Sequence, residues 1–305
     1  MRIARALLAL AAVAVVIAAA ALFWLSRPVS VAAEDLPGHQ PDPANGEFVF
    51  WASGCASCHI APGSDQRTLL AGGVELETPY GVFRAPNISP DPEHGIGGWS
   101  MAQFVSAVKY GTAPDGHHYY PAFPYASYHK MRVEDVMDLK AFLDTLEPSD
   151  NDVAGNVLSF PYNIRRGLGL WKLRYLSEDP VVEDLPDDPA VRHGQYLVEA
   201  MGHCGECHTA RDGAGGMLPS IWLAGAPNPE GEGMVPNITP HPQGLADWSE
   251  GDIAYALETG LTPEFDSLGG SMAEVVRNQS RLADDDRRAI AAYLKAIPAR
   301  TPEDR

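Results

Sequence analysis

Cys55-Ala56-Ser57-Cys58-His59 and Cys204-Gly205-Glu206-Cys207-His208 decide how this 305-residue chain is read. Each stretch holds two cysteines about one helical turn apart, with a histidine directly after. Two thiols at that spacing can each form a thioether to one of the two vinyl groups on a haem edge. The adjoining imidazole then reaches the iron. A four-cysteine zinc site would pair such motifs about 15–20 residues apart; these start 149 residues apart. A thioredoxin-like dithiol needs a βαβ setting, and neither motif has one. Two covalently bound haem c groups would use all four cysteines: Cys55 and Cys58 with His59, and Cys204 and Cys207 with His208.

The similarity between the two regions extends well past these pentapeptides. Gly46-Glu47-Phe48-Val49-Phe50-Trp51 corresponds to Gly194-Gln195-Tyr196-Leu197-Val198-Glu199. Pro86-Asn87-Ile88-Ser89-Pro90 corresponds to Pro236-Asn237-Ile238-Thr239-Pro240, Trp99-Ser100 to Trp248-Ser249, and Ala141-Phe142-Leu143 to Ala292-Tyr293-Leu294. The offsets stay between 148 and 151, so the chain carries an internal duplication with few insertions. Val136, Leu139, Leu143 and Leu146 have helical spacing, as do Ile290, Tyr293, Leu294 and Ile297. Acidic residues open both helices, Glu134 and Asp135 in one and Asp284 to Asp286 in the other, where they suit the helix dipole. Gly111 and Gly260 fall at expected helix stops. The Gly- and Pro-rich loops between helices would pack against haem, so the polypeptide core of each unit is expected to be modest. Both Asn-Ile-Ser/Thr sequons are read as structural turns, since Asn and Pro are turn formers.

Arg2 and Arg5 precede an unbroken apolar run from Ala6 to Leu25. Twenty helical residues rise about 30 Å, the thickness of a bilayer's hydrocarbon core. A cleaved signal sequence is the rival reading, with Val31-Ala32-Ala33 as a passable cleavage site, but its apolar region usually spans only about 7–15 residues. The arginines before the run put the N-terminus in the cytoplasm and the remainder outside. Acids outnumber bases 40 to 22, a formal charge of −18. Residues 1–33 hold three arginines and no acid, which leaves the exported part at −21. Such a balance excludes a nucleic-acid binder. The expected division is 1–28 anchor or signal sequence, 29–44 linker, 45–148 first unit, 149–188 interdomain linker, 189–298 second unit and 299–305 tail. The linker's middle holds Arg165, Arg166, Lys172 and Arg174. It is either a solvated helix face or a set of cations meeting acidic domains or haem propionates.

Each iron has a sixth position whose occupant decides between electron transfer and catalysis. In the second unit Met272, in the loop before the last helix, is favoured over Met217 and Met234. In the first unit back-alignment places Pro121 opposite Met272, beside Phe123, with no methionine there. Met131 is favoured, with His117, His118 and His129 as rivals. Met101 and Met137 are expected on core faces.

With these residues assembled, the chain resembles a bacterial family of exported cytochromes c. It includes the cytochrome subunits of membrane-bound alcohol, gluconate and aldehyde dehydrogenases. The resemblance covers roughly residues 45–298. It rests on R-H-G-Q-Y-L-V-E-A-M-G-H-C-G-E-C-H-T from Arg192, the P-N-I-[ST]-P turns, Y-P-A-F-P-Y from Tyr120 and F-P-Y-N-I-R-R from Phe160. It implies a mainly α fold: two tandem class I cytochrome c-like domains, first and last helices crossed over each haem, here preceded by one N-terminal transmembrane helix. It further implies electron transfer from a periplasmic dehydrogenase toward the respiratory chain, with another cytochrome c or a terminal oxidase as acceptor. The dehydrogenase subunits typically carry three haem motifs where this chain has two, and some have methionine where Phe123 stands. The expected protein is a single-pass inner-membrane electron carrier with its haem domains in the periplasm. Rival functions are a dihaem peroxidase-type enzyme, which needs one haem open to peroxide, and a haem-based sensor or docking subunit.

Overall fold

The computed structural model describes residues 2–229, 231 and 233–304. The chain is mainly helical. It opens with α1 (Arg2–Leu25), which has no buried residue and is long and apolar enough to cross a membrane. The first half then runs through α2 (Pro43–Ala52), α3 (Cys55–His59), a hairpin of β1 (Glu75–Thr78) and β2 (Gly81–Arg84), α4 (Met101–Tyr110), α5 (Tyr125–Tyr128) and α6 (Val133–Leu143). The connection between halves holds β3 (Val157–Leu158), which pairs antiparallel with β2, and α7 (Gly167–Tyr175). The second half comprises α8 (Pro189–Tyr196), α9 (Gly205–His208), a two-residue antiparallel pair β4 (Ala226–Pro227) and β5 (Met234–Val235), α10 (Glu250–Thr259), α11 (Met272–Gln279) and α12 (Asp284–Ala296).

The same local chemistry sets corresponding helix ends in both halves. Asp42 and Asp188 accept from Ala44 N and Ala190 N at the starts of α2 and α8, and a proline follows each. Ser100 and Ser249 close capping boxes with Gln103 and Asp252. Gly111 (φ 57°) and Gly260 (φ 76°) end α4 and α10 in the left-handed conformation, as expected.

In each half the first helix packs on the last, α2 on α6 and α8 on α12. Close approach is possible because a glycine stands at each contact. A Cβ on Gly46 would lie 2.0 Å from the Asp138 carbonyl oxygen; one on Gly194 would lie 1.8 Å from that of Ala289. The repeats differ by one residue between this glycine and the cysteine motif: Gly46 to Gly194 is an offset of 148, Cys55 to Cys204 one of 149. The structure absorbs the extra residue in a π-helical turn at Leu197–Met201, directly after α8.

The two halves share one buried core rather than the two modest ones expected. Phe50, Val105, Val136 and Leu143 belong to the same contiguous cluster as Leu197, Met201, Ile290 and Tyr293. The linker also packs closely. Lys172 Nζ donates to the Tyr110 and Gly111 carbonyls at the end of α4. Trp171 Nε1 donates to Ala214 O and the Tyr175 hydroxyl to Asp212 in the second half. Arg165 and Arg166 do not meet acidic side chains. Arg165 donates to His118 O and lies over the Tyr120 ring; Arg166 turns to α1, donating to Ser26 Oγ and Phe23 O. These two arginines had only backbone, hydroxyl and ring acceptors within reach.

Candidate functional site

Each cysteine motif sits on a short helix entered through a left-handed residue, Gly54 (φ 64°) before Cys55 and His203 (φ 42°) before Cys204. A single helical turn puts the two thiols and the histidine of a motif on adjoining faces. His59 Nδ1 donates to Pro86 O at 2.8 Å and His208 Nδ1 to Pro236 O at 2.8 Å. That bond fixes the tautomer and leaves Nε2 as the nitrogen available to a metal. The two proline carbonyls were not legible in the sequence. Their signal was the recurrence of Pro-Asn-Ile-Ser/Thr-Pro at nearly the same distance from each motif, 27 and 28 residues past the histidine.

The turns are held by their asparagines. Asn87 Oδ1 accepts from Ser89 N, and its amide donates to Ser149 O and Asn151 O. Asn237 Oδ1 accepts from Thr239 N, and its amide donates to Arg300 O. Both asparagines are buried, as structural turns require.

None of the four cysteines is in a disulfide. Among the described residues no group of three or more His, Cys, Asp or Glu is placed to hold a metal ion, so the zinc reading lacks donors. Burial pushes the Cys55 and Cys204 thiols up to about 12 and lowers the pKa of His59 and His208. Yet these four side chains keep accessible surface. Neutral imidazoles with one committed nitrogen, each beside a pair of thiols, are the donor chemistry that haem c requires.

The candidates for the sixth positions are placed differently. Met131 is fully buried in the shared core, to which Ala56 of the first motif also belongs. Its rivals are engaged elsewhere. His118 uses both ring nitrogens, with Ser26 O at 2.9 Å and Lys172 Nζ at 3.0 Å. His129 Nδ1 donates to Lys109 O, and His117 pairs with Asp115 at the surface. In the second half Met272 is half-buried and begins a short helix, α11, where a loop was expected. Met217 packs against the core, and Met234 is exposed on β5. Met137 is buried in the core and Met101 packs against it, as expected.

The two motifs lie at one interface, and the contacts across it are reciprocal. Ser57, between the cysteines of the first motif, accepts from Asn278 Nδ2 of α11 at 2.7 Å. Glu206, at the equivalent place in the second motif, accepts from Ser127 Oγ of α5 at 3.3 Å. Ser127 and Asn278 are themselves equivalent in the repeat, 151 residues apart. The neighbouring residues repeat the exchange: Tyr128 stacks edge-on against His203 with ring centres 5.7 Å apart, and Gln279 Nε2 reaches Ala52 O. Arg67 closes one flank with a 2.6 Å bond to Glu274 and a 3.2 Å bond to Asn278.

Comparison with known proteins agrees with this chemistry. A family model described as cytochrome c matches residues 191–298. The chain is 55% identical over 288 residues to a diheme cytochrome c-type protein of Cereibacter sphaeroides, covering 93% of this chain and 96% of the relative. It is 38% identical over 266 residues to the fructose dehydrogenase cytochrome subunit of Gluconobacter japonicus, covering 86% of this chain. It is 35% identical over 266 residues to the cytochrome c subunit of a quinone alcohol dehydrogenase from Gluconobacter oxydans, covering 83% of this chain. The chain spans only 54% of the length of each of these two dehydrogenase subunits.

Proposed function

The chain belongs to the dihaem c-type cytochromes and carries two covalently bound haem c groups; from that premise we propose that it is a membrane-tethered electron relay. In this reading residues 45–148 and 189–298 are tandem class I cytochrome c-like domains. Cys55 and Cys58 hold one haem with His59 as ligand, and Cys204 and Cys207 hold the other with His208. Met131 and Met272 close the sixth positions. When bound, each haem supplies a one-electron ferric–ferrous couple whose potential the protein sets through axial ligand, burial and charge.

The chain's own residues orient and enclose. The Pro86 and Pro236 carbonyls hold the histidines, and the shared core packs against Cys55 and Cys204. The observation that supports the proposal is the reciprocal contact of the two attachment motifs with α11 and α5, because it brings both motifs to one interface. The donor is proposed to be an exported dehydrogenase, as the names of the relatives suggest. The acceptor is another cytochrome c or a terminal oxidase. The chain itself is a carrier without catalytic residues. Its α1 is an uncleaved anchor, with the helical halves on the periplasmic side of the inner membrane.

Subcellular fractionation tests the tether: the full-length protein stays with membranes through a high-salt wash, and its release into the soluble fraction would count against the anchor. A dehydrogenase that reduces the purified protein tests the donor assignment; failure of every exported dehydrogenase from the same cell to reduce it would overturn that assignment.

A further inference from the structure

Outside α1 and the few residues after it, exposed apolar side chains gather in one place. Among the described residues beyond position 29, all but three of the exposed large apolar side chains lie between Val157 and Leu173 or, like Tyr80, on a ring stacked against that stretch. Phe160 is 78% exposed, Leu173 61% and Ile164 54%. Leu170 and Leu173, three residues apart, occupy one face of α7. The adjoining face is committed to protein through Lys172 and Gly169. The same stretch is basic. No Asp or Glu occurs from 153 to 177, in a chain with 40 of them, and Arg165, Arg166, Lys172 and Arg174 fall inside it.

This surface is bolted to the end of α1. Gly169 packs on the backbone of Ser26 so closely that a Cβ would lie 2.2 Å from its carbonyl oxygen. Arg166 donates to Ser26 Oγ and to Phe23 O, and its guanidinium lies 4.3 Å over the Phe23 ring. His118 Nε2 reaches Ser26 O. Ser26 is where the apolar run stops and Trp24 and Arg27 stand, the residue types that mark a membrane–water boundary. An element in contact with that point is held at headgroup depth.

We propose that the segment from Phe160 to Leu173 is a second membrane contact, lying in the headgroup layer of an anionic bilayer beside the exit of α1. The inference rests on the reading of α1 as an anchor. Its apolar side chains enter the acyl boundary, as in interfacial amphipathic segments, and the net positive charge of the stretch suits anionic lipid. The helical halves are thereby seated on the membrane instead of swinging on a stalk.

The test uses full-length holoprotein in vesicles containing phosphatidylglycerol. Single nitroxides are placed through Ile164→Cys and Leu173→Cys, with Tyr255→Cys on α10 as a water-exposed reference and Val15→Cys within α1. Labels at 164 and 173 are expected to collide more with oxygen than with a water-soluble nickel chelate, and the label at 255 the reverse. Labels at 164 and 173 that behave like 255, while the label at 15 is lipid-buried, would overturn the proposal and leave the anchor standing. A label at 15 in water would overturn the anchor reading first and the seat with it. Labels at 164 and 173 shielded equally from both reagents would assign the face to a second copy of the chain and also overturn it.

Discussion

Met131 is the residue proposed to close the sixth position of the first site. It is buried, and the nearby histidines are largely engaged elsewhere: His118 through both ring nitrogens, His117 with Asp115. Replacing it with alanine should remove one of two methionine-to-iron charge-transfer bands and open that iron to carbon monoxide. An unchanged spectrum would move the role elsewhere. Asn237 acts through the backbone. Without its side chain, Thr239 N loses its acceptor and Arg300 O one of its two donors inside a buried turn, at a cost of about 1–3 kcal/mol. Asn237→Ala should lower the denaturation midpoint correspondingly, while a midpoint equal to wild type would mean that the turn is held by other bonds. The cysteines and histidines were legible because their spacing is itself the chemistry. The Pro86 and Pro236 carbonyls were not, because a backbone acceptor leaves no side-chain signature.

Among the elements, the helix pairs depend on two glycines. Gly194→Ala drives a Cβ into the Ala289 carbonyl and the Tyr293 side chain. Overpacking of this kind costs about 1–3 kcal/mol, and chemical denaturation should show it; no loss would mean that α8 and α12 separate freely. The acid-led starts of α6 and α12 and the glycine stops of α4 and α10 were readable, because periodicity and end chemistry agree there. The helix α11 was not. Met272, Val275, Val276 and Gln279 have helical spacing, but the segment is short and reads as the loop before the last helix. The π-helical turn after α8 was visible only as a one-residue step in the repeat offset, which has no meaning until the two halves are laid against each other. The sequence leaves the role of Arg166 open between a solvated face and a meeting with acids or propionates, and the acceptors it finds are at the end of α1.

For the whole molecule, two repeats have become one body. The duplication was plain in the sequence, but the shared core and the reciprocal pairing of Ser57 with Asn278 and Glu206 with Ser127 were not. Such contacts join polar residues more than 70 positions apart and follow no local pattern. Residues 34–305 carry a net charge of −21, so encounter with a basic redox partner should be electrostatically steered. Its second-order rate of electron exchange should fall as ionic strength rises; a flat profile would mean docking through apolar contacts. The central claim is that both sites are closed, low-spin carriers. It is tested most directly by adding carbon monoxide to the reduced holoprotein and peroxide to the half-reduced form. The account predicts two low-spin haems whose spectra carbon monoxide leaves unchanged, and no peroxide turnover. A high-spin haem that binds carbon monoxide and turns over peroxide would contradict it.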